Sequence, residues 1–362
     1  MNEIYLDAAA TAKFSSEDNI VIINTITNAM KTYWQNPSSL YATEAKGVID
    51  RCRTNIANFI NAKSEEIIFT SGASEANSMV IRGWTDHMMM TNLKTRNIIT
   101  TKIEHKSILK SVENSTLAAQ VYYCDVNKFG FVDLDSLEFL LSMCKYDNIL
   151  VSIHMANNEI GTIQSIKDIS NLVHQYNGIL HIDATQALGH ISINVEELGI
   201  DLMSISGHKI SPVLRGIGFL YKKNGINIQP IIYGNQEFGL RGGTEFTYGI
   251  IGLSKALEYC DVSQKNIDEM CAKRDYFINC LESKFGCKLN GHKEDRLPNN
   301  INVTFPQNIT GENLLYMLDL AGIKVATGSA CNSKSIESSY ILKIIGLTNE
   351  EIQIIESQHI QS

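Results

Sequence analysis

The amino-acid sequence predicts an α/β fold in which a mainly parallel, seven-stranded sheet is sandwiched by helices and joined to a smaller α+β domain. Three observations predict it: seven short β-rich runs between residues 65 and 222, amphipathic stretches between the first five of them, and a change to long helices after about residue 250. At 362 residues, 44% of them hydrophobic, the chain holds enough apolar side chain for a substantial core and for two structural units.

The β-rich runs are 66–70, 97–101, 120–124, 148–153, 179–183, 201–206 and 216–221, and 74–91 and 165–176 are examples of the amphipathic stretches between them. Alternation of this kind indicates βα units, because neighbouring parallel strands need a crossover and helices supply it. Residues at the carboxyl ends of these strands are then the candidates for chemistry. After residue 250 the pattern gives helices at 250–260 and 265–285, a strand at 300–305, a helix at 312–320 and a short strand at 325–327. The expected division is a large domain over 15–250 and a small one formed by 1–14 with 251–362. With five prolines and no low-complexity tract, no segment reads as a flexible linker, and the units are expected to pack tightly.

The balance of 31 basic against 39 acidic residues, a net charge of -8, argues against a nucleic-acid surface and offers no polybasic membrane patch. A small-molecule substrate fits better. The first residues carry acid where a signal peptide needs base, and no stretch reaches the ~18 apolar residues of a membrane span, so a cytoplasmic location is expected. The eight cysteines include no C-x-x-C pair and no cluster at zinc spacing, which points to free thiols and no metal.

Three constellations carry chemistry. In Ser206-Gly207-His208-Lys209 the lysine follows a hydrophobic strand and a glycine turn, where partial desolvation would lower its pKa and equip the amine to form a Schiff base; an ordinary solvated surface lysine is the plainer reading. Asp183, at the end of a neighbouring strand, could keep a pyridine nitrogen protonated. The run from Phe69 through Ser71, Gly72, Ala73 and Ser74 to Asn77 is a strand, a glycine turn and a helix start, which suits a phosphate; an ordinary N-cap at Ser74 is the plainer reading. Thr327 to Ser335 is a small polar run that makes Cys331 available, with Lys334 nearby to favour its thiolate; an incidental surface thiol is the alternative.

With these pieces in order, the sequence resembles the cysteine desulfurases, a branch of the class-V aminotransferases among the fold-type I pyridoxal-phosphate (PLP) enzymes. Eight motifs carry the resemblance: Asn36-Pro37-Ser38-Ser39, Phe69 to Glu75, Glu104-His105-Lys106-Ser107, Asn157 to Gly161, Asp183 to Gln186, Ser206 to Lys209, Arg241-Gly242-Gly243-Thr244, and Gly328 to Cys331. The resemblance implies pyridoxal 5'-phosphate as cofactor, L-cysteine as substrate and L-alanine as product. It further implies that Lys209 forms the Schiff base and shuttles the α-proton, that His105 stacks on the cofactor ring, that Asp183 pairs with its nitrogen and that Gln186 bonds its phenolic oxygen. Ala73, Ser74, Ser206 and His208 would hold the phosphate, joined by Thr244 from a partner subunit of a homodimer. Asn36 and Asn158 would contact substrate, and Cys331 would accept sulfur as a persulfide for a sulfur-acceptor protein in iron–sulfur cluster or tRNA thiolation pathways.

The pattern is broken in three places. The turn after the lysine, Ile210 to Gly216, is altered and one residue longer than the family's; Tyr41 stands where the family has histidine; and no arginine follows Cys331, where the family clamps the substrate carboxylate. A shortened C-terminus and a weakened substrate clamp are therefore expected, with Arg241 a stand-in of little weight. The competing readings are a selenocysteine lyase or other class-V lyase or transaminase, and a catalytically impaired PLP-binding homologue.

Overall fold

A computed structural model describes residues 3–14, 16–91, 95–115, 117–306, 311–326, 339–348, 351 and 355–359. The chain opens with β1 (Ile4–Tyr5), α1 (Ser16–Thr32) and α2 (Thr43–Phe59). Alternating elements follow: β2 (Ile67–Thr70), α3 (Ala73–Thr91), β3 (Arg96–Thr101), α4 (Lys106–Glu113), β4 (Gln120–Cys124), α5 (Leu134–Met143), β5 (Asn148–His154), α6 (Ile166–Gln175), β6 (Ile179–Asp183), α7 (Val195–Leu198), β7 (Leu202–Ser206) and β8 (Gly218–Lys222). The remainder comprises α8 (Thr247–Leu257), α9 (Gln264–Phe285), β9 (Lys288–Leu289), β10 (Asn300–Thr304), α10 (Gly311–Leu320), β11 (Ile323–Lys324), α11 (Tyr340–Ile344) and β12 (Ile355–His359).

Seven strands form one sheet in the order β2-β8-β7-β6-β5-β3-β4. Every pairing is parallel except those of β8, which runs antiparallel to both β2 and β7. The expected mainly parallel, helix-sandwiched sheet is what forms. Because β8 reverses direction between β2 and β7, those two strands point the same way, and the carboxyl ends of β2, β3, β5, β6 and β7 open on one edge. The inner strands are buried along almost their whole length, as double-sided cover requires. One apolar cluster, including Ile56, Val151, Ile182 and Phe219, lies on one face, and another, built around Met79, Trp84 and Ile98, lies on the other.

His181, fully buried on β6, sits between two hydroxyls, with Nδ1 2.9 Å from Ser152 Oγ and Nε2 2.9 Å from Ser204 Oγ. Burial pushes its imidazole down to about 4 from the ordinary 6.5. The unfolded chain therefore binds the proton first as pH falls, and stability is lost progressively from about pH 6.5 down to 4. Urea titrations across that window should give a falling unfolding midpoint, and His181→Gln should flatten the fall. An identical slope in the variant would refute the assignment.

The second unit differs in detail from its sequence reading. The expected boundary at residue 250 lies inside α8, whose Ile250, Leu253 and Leu257 pack in the same cluster as Ile22 and Ile49, so the large core extends past it. The strand expected at 325–327 forms two residues earlier, as Ile323–Lys324, and pairs in parallel with β1 (Ile4↔Ile323, Tyr5↔Lys324). That pairing draws the N-terminal strand to the C-terminal unit. There β12, β10 and β9 make a second sheet, under which Ile278, Leu281, Ile301 and Val303 cluster. The loop after β5 meets the segment before β10 where Leu297 N–H donates to Gly161 O at 2.9 Å and Ile163 N–H to Asp295 O at 2.9 Å.

Candidate active site

The carboxyl edge of the sheet encloses a cavity of about 540 Å³. Lys209 reaches it because β7 stops at Ser206 and a tight turn, Gly207–Lys209, delivers the side chain beyond the strand end. Its Nζ donates to the carbonyls of Ala9 and Ala10, at 3.0 Å for the second, so the segment following β1 forms a wall of the cavity. The same wall takes a bond of 3.2 Å from Gln186 Nε2 to Ala9 O. The lengthened turn after Lys209 folds back on itself through Ser211 N–H to Gly207 O at 3.0 Å and buries Leu214. Arg215 and Gly216 are thereby brought to the cavity rim.

Asp183 ends β6 next to the lysine strand and is buried. Its Oδ1 accepts from Thr185 N–H at 3.1 Å and its Oδ2 from Asn77 Nδ2 at 2.8 Å. The second amide proton of Asn77 goes to Ser107 Oγ at 2.9 Å. Ser107 in turn touches His105, whose Nδ1 accepts from Ser107 N–H at 3.1 Å and lies 2.7 Å from Ser107 Oγ, capping α4. With Oγ accepting from Asn77, its proton points at Nδ1, which places the proton of the neutral ring on Nε2. One fully buried amide thus ties the carboxylate and the imidazole into a single array. The sequence reading gave Asn77 and Ser107 no role; the available signal was a polar residue on the buried face of α3, beside Ala76, Val80 and Ile81.

At the other end of the cavity lies the N-terminus of α3, with Ala73 and Ser74 in its first turn, where backbone N–H groups lack intrahelical acceptors. Gly72 has φ +147°, and a Cβ there would stand 3.3 Å from Ser206 Oγ, so glycine lets the turn close on that hydroxyl. His208 Nδ1 lies 3.2 Å from Thr11 Oγ1. Burial, followed by the positive charges of Lys209 and Arg215, pushes the His208 imidazole down to about 4. A bound dianion would offset that charge and favour a protonated ring.

The class-V aminotransferase family model matches residues 4–347. The chain belongs to that family. Among its relatives, the cysteine desulfurase IscS of Dictyoglomus turgidum is 42% identical over 354 residues, 96% of this chain and 87% of the relative. Cysteine desulfurase IscS 1 of Archaeoglobus fulgidus is 38% identical, with 96% and 89% covered. Among solved structures, a NifS-like protein superposes with a TM-score of 0.88 at 30% identity over 99% of this chain and 94% of its own. SspA in complex with cysteine gives 0.84 at 29% identity, with 99% of both chains covered.

The aminotransferase cavity fits PLP on its own geometry. Thr185 Oγ1 is buried at the cavity wall with no hydrogen-bond partner among the described residues, so a polar group there completes it. A buried carboxylate, a lysine amine and a helix N-terminus beside a serine hydroxyl supply, respectively, a partner for a ring nitrogen, a covalent anchor and a phosphate cradle. Asn158 also lines the cavity.

Other expected site residues are placed elsewhere. Asn36 is exposed and does not line the cavity; its Oδ1 accepts from Ser38 N–H at 2.9 Å, so it serves its own turn. Arg241 does not reach the cavity either: its Nε donates to Glu75 Oε1 at 2.8 Å, and that carboxylate also accepts Ser71 N–H at 2.8 Å. These bonds and Arg241's charge outweigh burial and hold Glu75 below its usual pKa. The guanidinium therefore braces the turn that leads into α3. Thr244 is exposed, away from this chain's cavity. Cys331 lies outside the described residues.

Proposed function

We propose that the chain is a PLP-dependent cysteine desulfurase that converts L-cysteine to L-alanine and passes the sulfur to Cys331. The observation that carries this reading is the convergence of Lys209, Asp183 and His105 on one cavity, the last two joined through Asn77 and Ser107, in a chain 42% identical to a cysteine desulfurase.

PLP, when bound, supplies the electron sink that makes the substrate's α-proton removable and its Cβ–S bond breakable. Lys209 anchors it and then carries the α-proton on Nζ. Asp183, its oxygens fixed by Asn77 and Thr185, would keep a proton on the ring nitrogen. His105 is held by Ser107 with a ring proton on Nε2. Ala73, Ser74, Ser206 and His208 would hold the phosphate, Gln186 and Thr185 would hydrogen-bond the phenolic oxygen, and Asn158 would orient the substrate. In the sulfur step the Cys331 thiolate attacks the substrate sulfur, an S–S bond forms, the Cβ–S bond breaks, and the β-carbon takes a proton to become the methyl group of alanine. A thiol reductant then releases sulfide and restores Cys331.

The reading extends to a homodimer, a sulfur-acceptor protein and a cytoplasmic site of action. Thr244 lies on an outward segment whose Phe238 and Phe246 are also exposed, the kind of surface that a second copy would cover. No helix among the described residues is long and apolar enough to cross a membrane.

The PLP-loaded chain given L-cysteine and dithiothreitol should yield alanine and sulfide in equal amounts. Cys331→Ser should bind PLP normally and lose sulfide production by at least about 100-fold. A chain that forms neither product would sink the reading, and a serine variant that releases sulfide at the wild-type rate would remove Cys331 from it.

A further inference from the structure

One buried acid at the cavity has no part in the chemistry above. Glu159 follows Asn158 in the loop after β5. Asn157 Oδ1 accepts both Glu159 N–H at 2.9 Å and Ile160 N–H at 3.1 Å, and this turn brings both Asn158 and Glu159 to the cavity. From the second unit, Asn300 and Asn302 side-chain amides donate to Glu159 O at 3.1 and 3.2 Å. The Glu159 carboxylate, only 3% exposed, accepts from Ser339 Oγ across 180 residues of sequence.

Ser339 is the first described residue after segment 327–338, which contains Cys331, and Ala326, the last before it, lines the cavity. Ser339 also caps α11, accepting Leu342 N–H at 3.2 Å, so its hydroxyl both donates and accepts. Beyond it, Tyr340 OH donates to Glu104 O at 2.6 Å, and Ile341, Leu342 and Ile345 pack on Ile103 and Ile160. The far end of the connection bearing the thiol is thus tied to the loops that carry His105 and Asn158, and its near end, Ala326, lines the cavity. Five residues from Ala326 allow the thiol-bearing residue at most about 17 Å of reach.

Apolar side chains alone would dock α11 without desolvating a carboxylate, so a buried acid at this point needs a reason. Burial pushes Glu159 up to about 7, while the Ser339 bond and the charge of Lys106 oppose the rise. The other ionisable groups around this part of the cavity are Glu104, His105, His154, Asp183 and Lys209.

We infer that Glu159 is a positioning residue for sulfur transfer: by holding Ser339, it fixes the far end of the Cys331 connection to the loop that presents Asn158. This rests on the desulfurase reading. The test is single-turnover persulfide formation on Cys331 in the full PLP-loaded chain, followed by mass spectrometry after rapid quenching, beside PLP affinity and the absorbance change on adding cysteine. Glu159→Ala and Ser339→Ala should each bind PLP and cysteine within about 2-fold of wild type yet form persulfide about 10- to 100-fold more slowly. The double variant should be no slower than the slower single, because both remove one contact. Ser339→Thr, which keeps the hydroxyl, should recover most of the rate. Wild-type persulfide rates in both single variants, additive losses in the double, or PLP affinity falling in step with the rate would each overturn the positioning role. A wild-type chain that forms no persulfide would instead sink the desulfurase reading, and this inference with it.

Discussion

Lys209→Ala is expected to abolish covalent retention of PLP: borohydride treatment should fix the cofactor to the wild-type chain and leave the variant free of it after denaturation. Turnover of L-cysteine should fall by at least about 10³-fold, since the same amine serves as covalent anchor and as the base that moves the α-proton. Two backbone carbonyls, those of Ala9 and Ala10, position the amine, and among the described residues no other lysine lines the cavity. Among the described residues, the cavity's lining besides Lys209 and its histidines includes one further basic side chain, Arg215, whose guanidinium cannot act as that base. Persistence of borohydride-fixed PLP in the variant would move the anchor elsewhere and take the mechanism with it. Supplying a small external amine should restore part of the proton-transfer rate if the loss is chemical rather than structural.

Asp183→Asn is expected to keep the fold and PLP binding but to slow turnover by about 10²- to 10³-fold. The amide oxygen can still accept from Asn77 or from Thr185 N–H, so one of the two bonds survives while the negative charge proposed to pair with the ring nitrogen is removed. An altered absorbance of the bound cofactor should accompany the slower rate. A variant with near-wild-type turnover would show that the carboxylate is a structural partner of Asn77 and not the ring-nitrogen partner. Asn77→Ala offers a graded comparison: it leaves the charge but frees both Asp183 and Ser107, so a smaller loss in rate, coupled to mispositioning of His105, is the expected pattern.

Much of this molecule is legible without coordinates. The seven strands of the sheet fall within two residues of the β-rich runs, because side chains buried on both faces leave short apolar runs that turn residues bound. The positions of Lys209 and Asp183 follow from the same rule, since strand ends in a parallel sheet share an edge. The glycine turn before α3 is equally local: Gly72 closes on Ser206 through a backbone conformation that other side chains rarely adopt.

What the sequence by itself determined is therefore the sheet, the edge on which chemistry gathers, and the residue types gathered there. The tertiary structure alone decided which side chains work together. Asn77 meets Asp183 across 106 residues and Ser339 meets Glu159 across 180, separations that no local period encodes. It also places two side chains away from this chain's cavity: Arg241 on Glu75, and Asn36 on its own turn. The register of α8 with α1 and α2, and of β1 with β11, likewise depends on which apolar surfaces find each other once the sheet exists. The physical reason is the same throughout. Burial periodicity is a property of neighbouring residues, whereas a hydrogen bond between distant polar groups is made only after packing has excluded water from both.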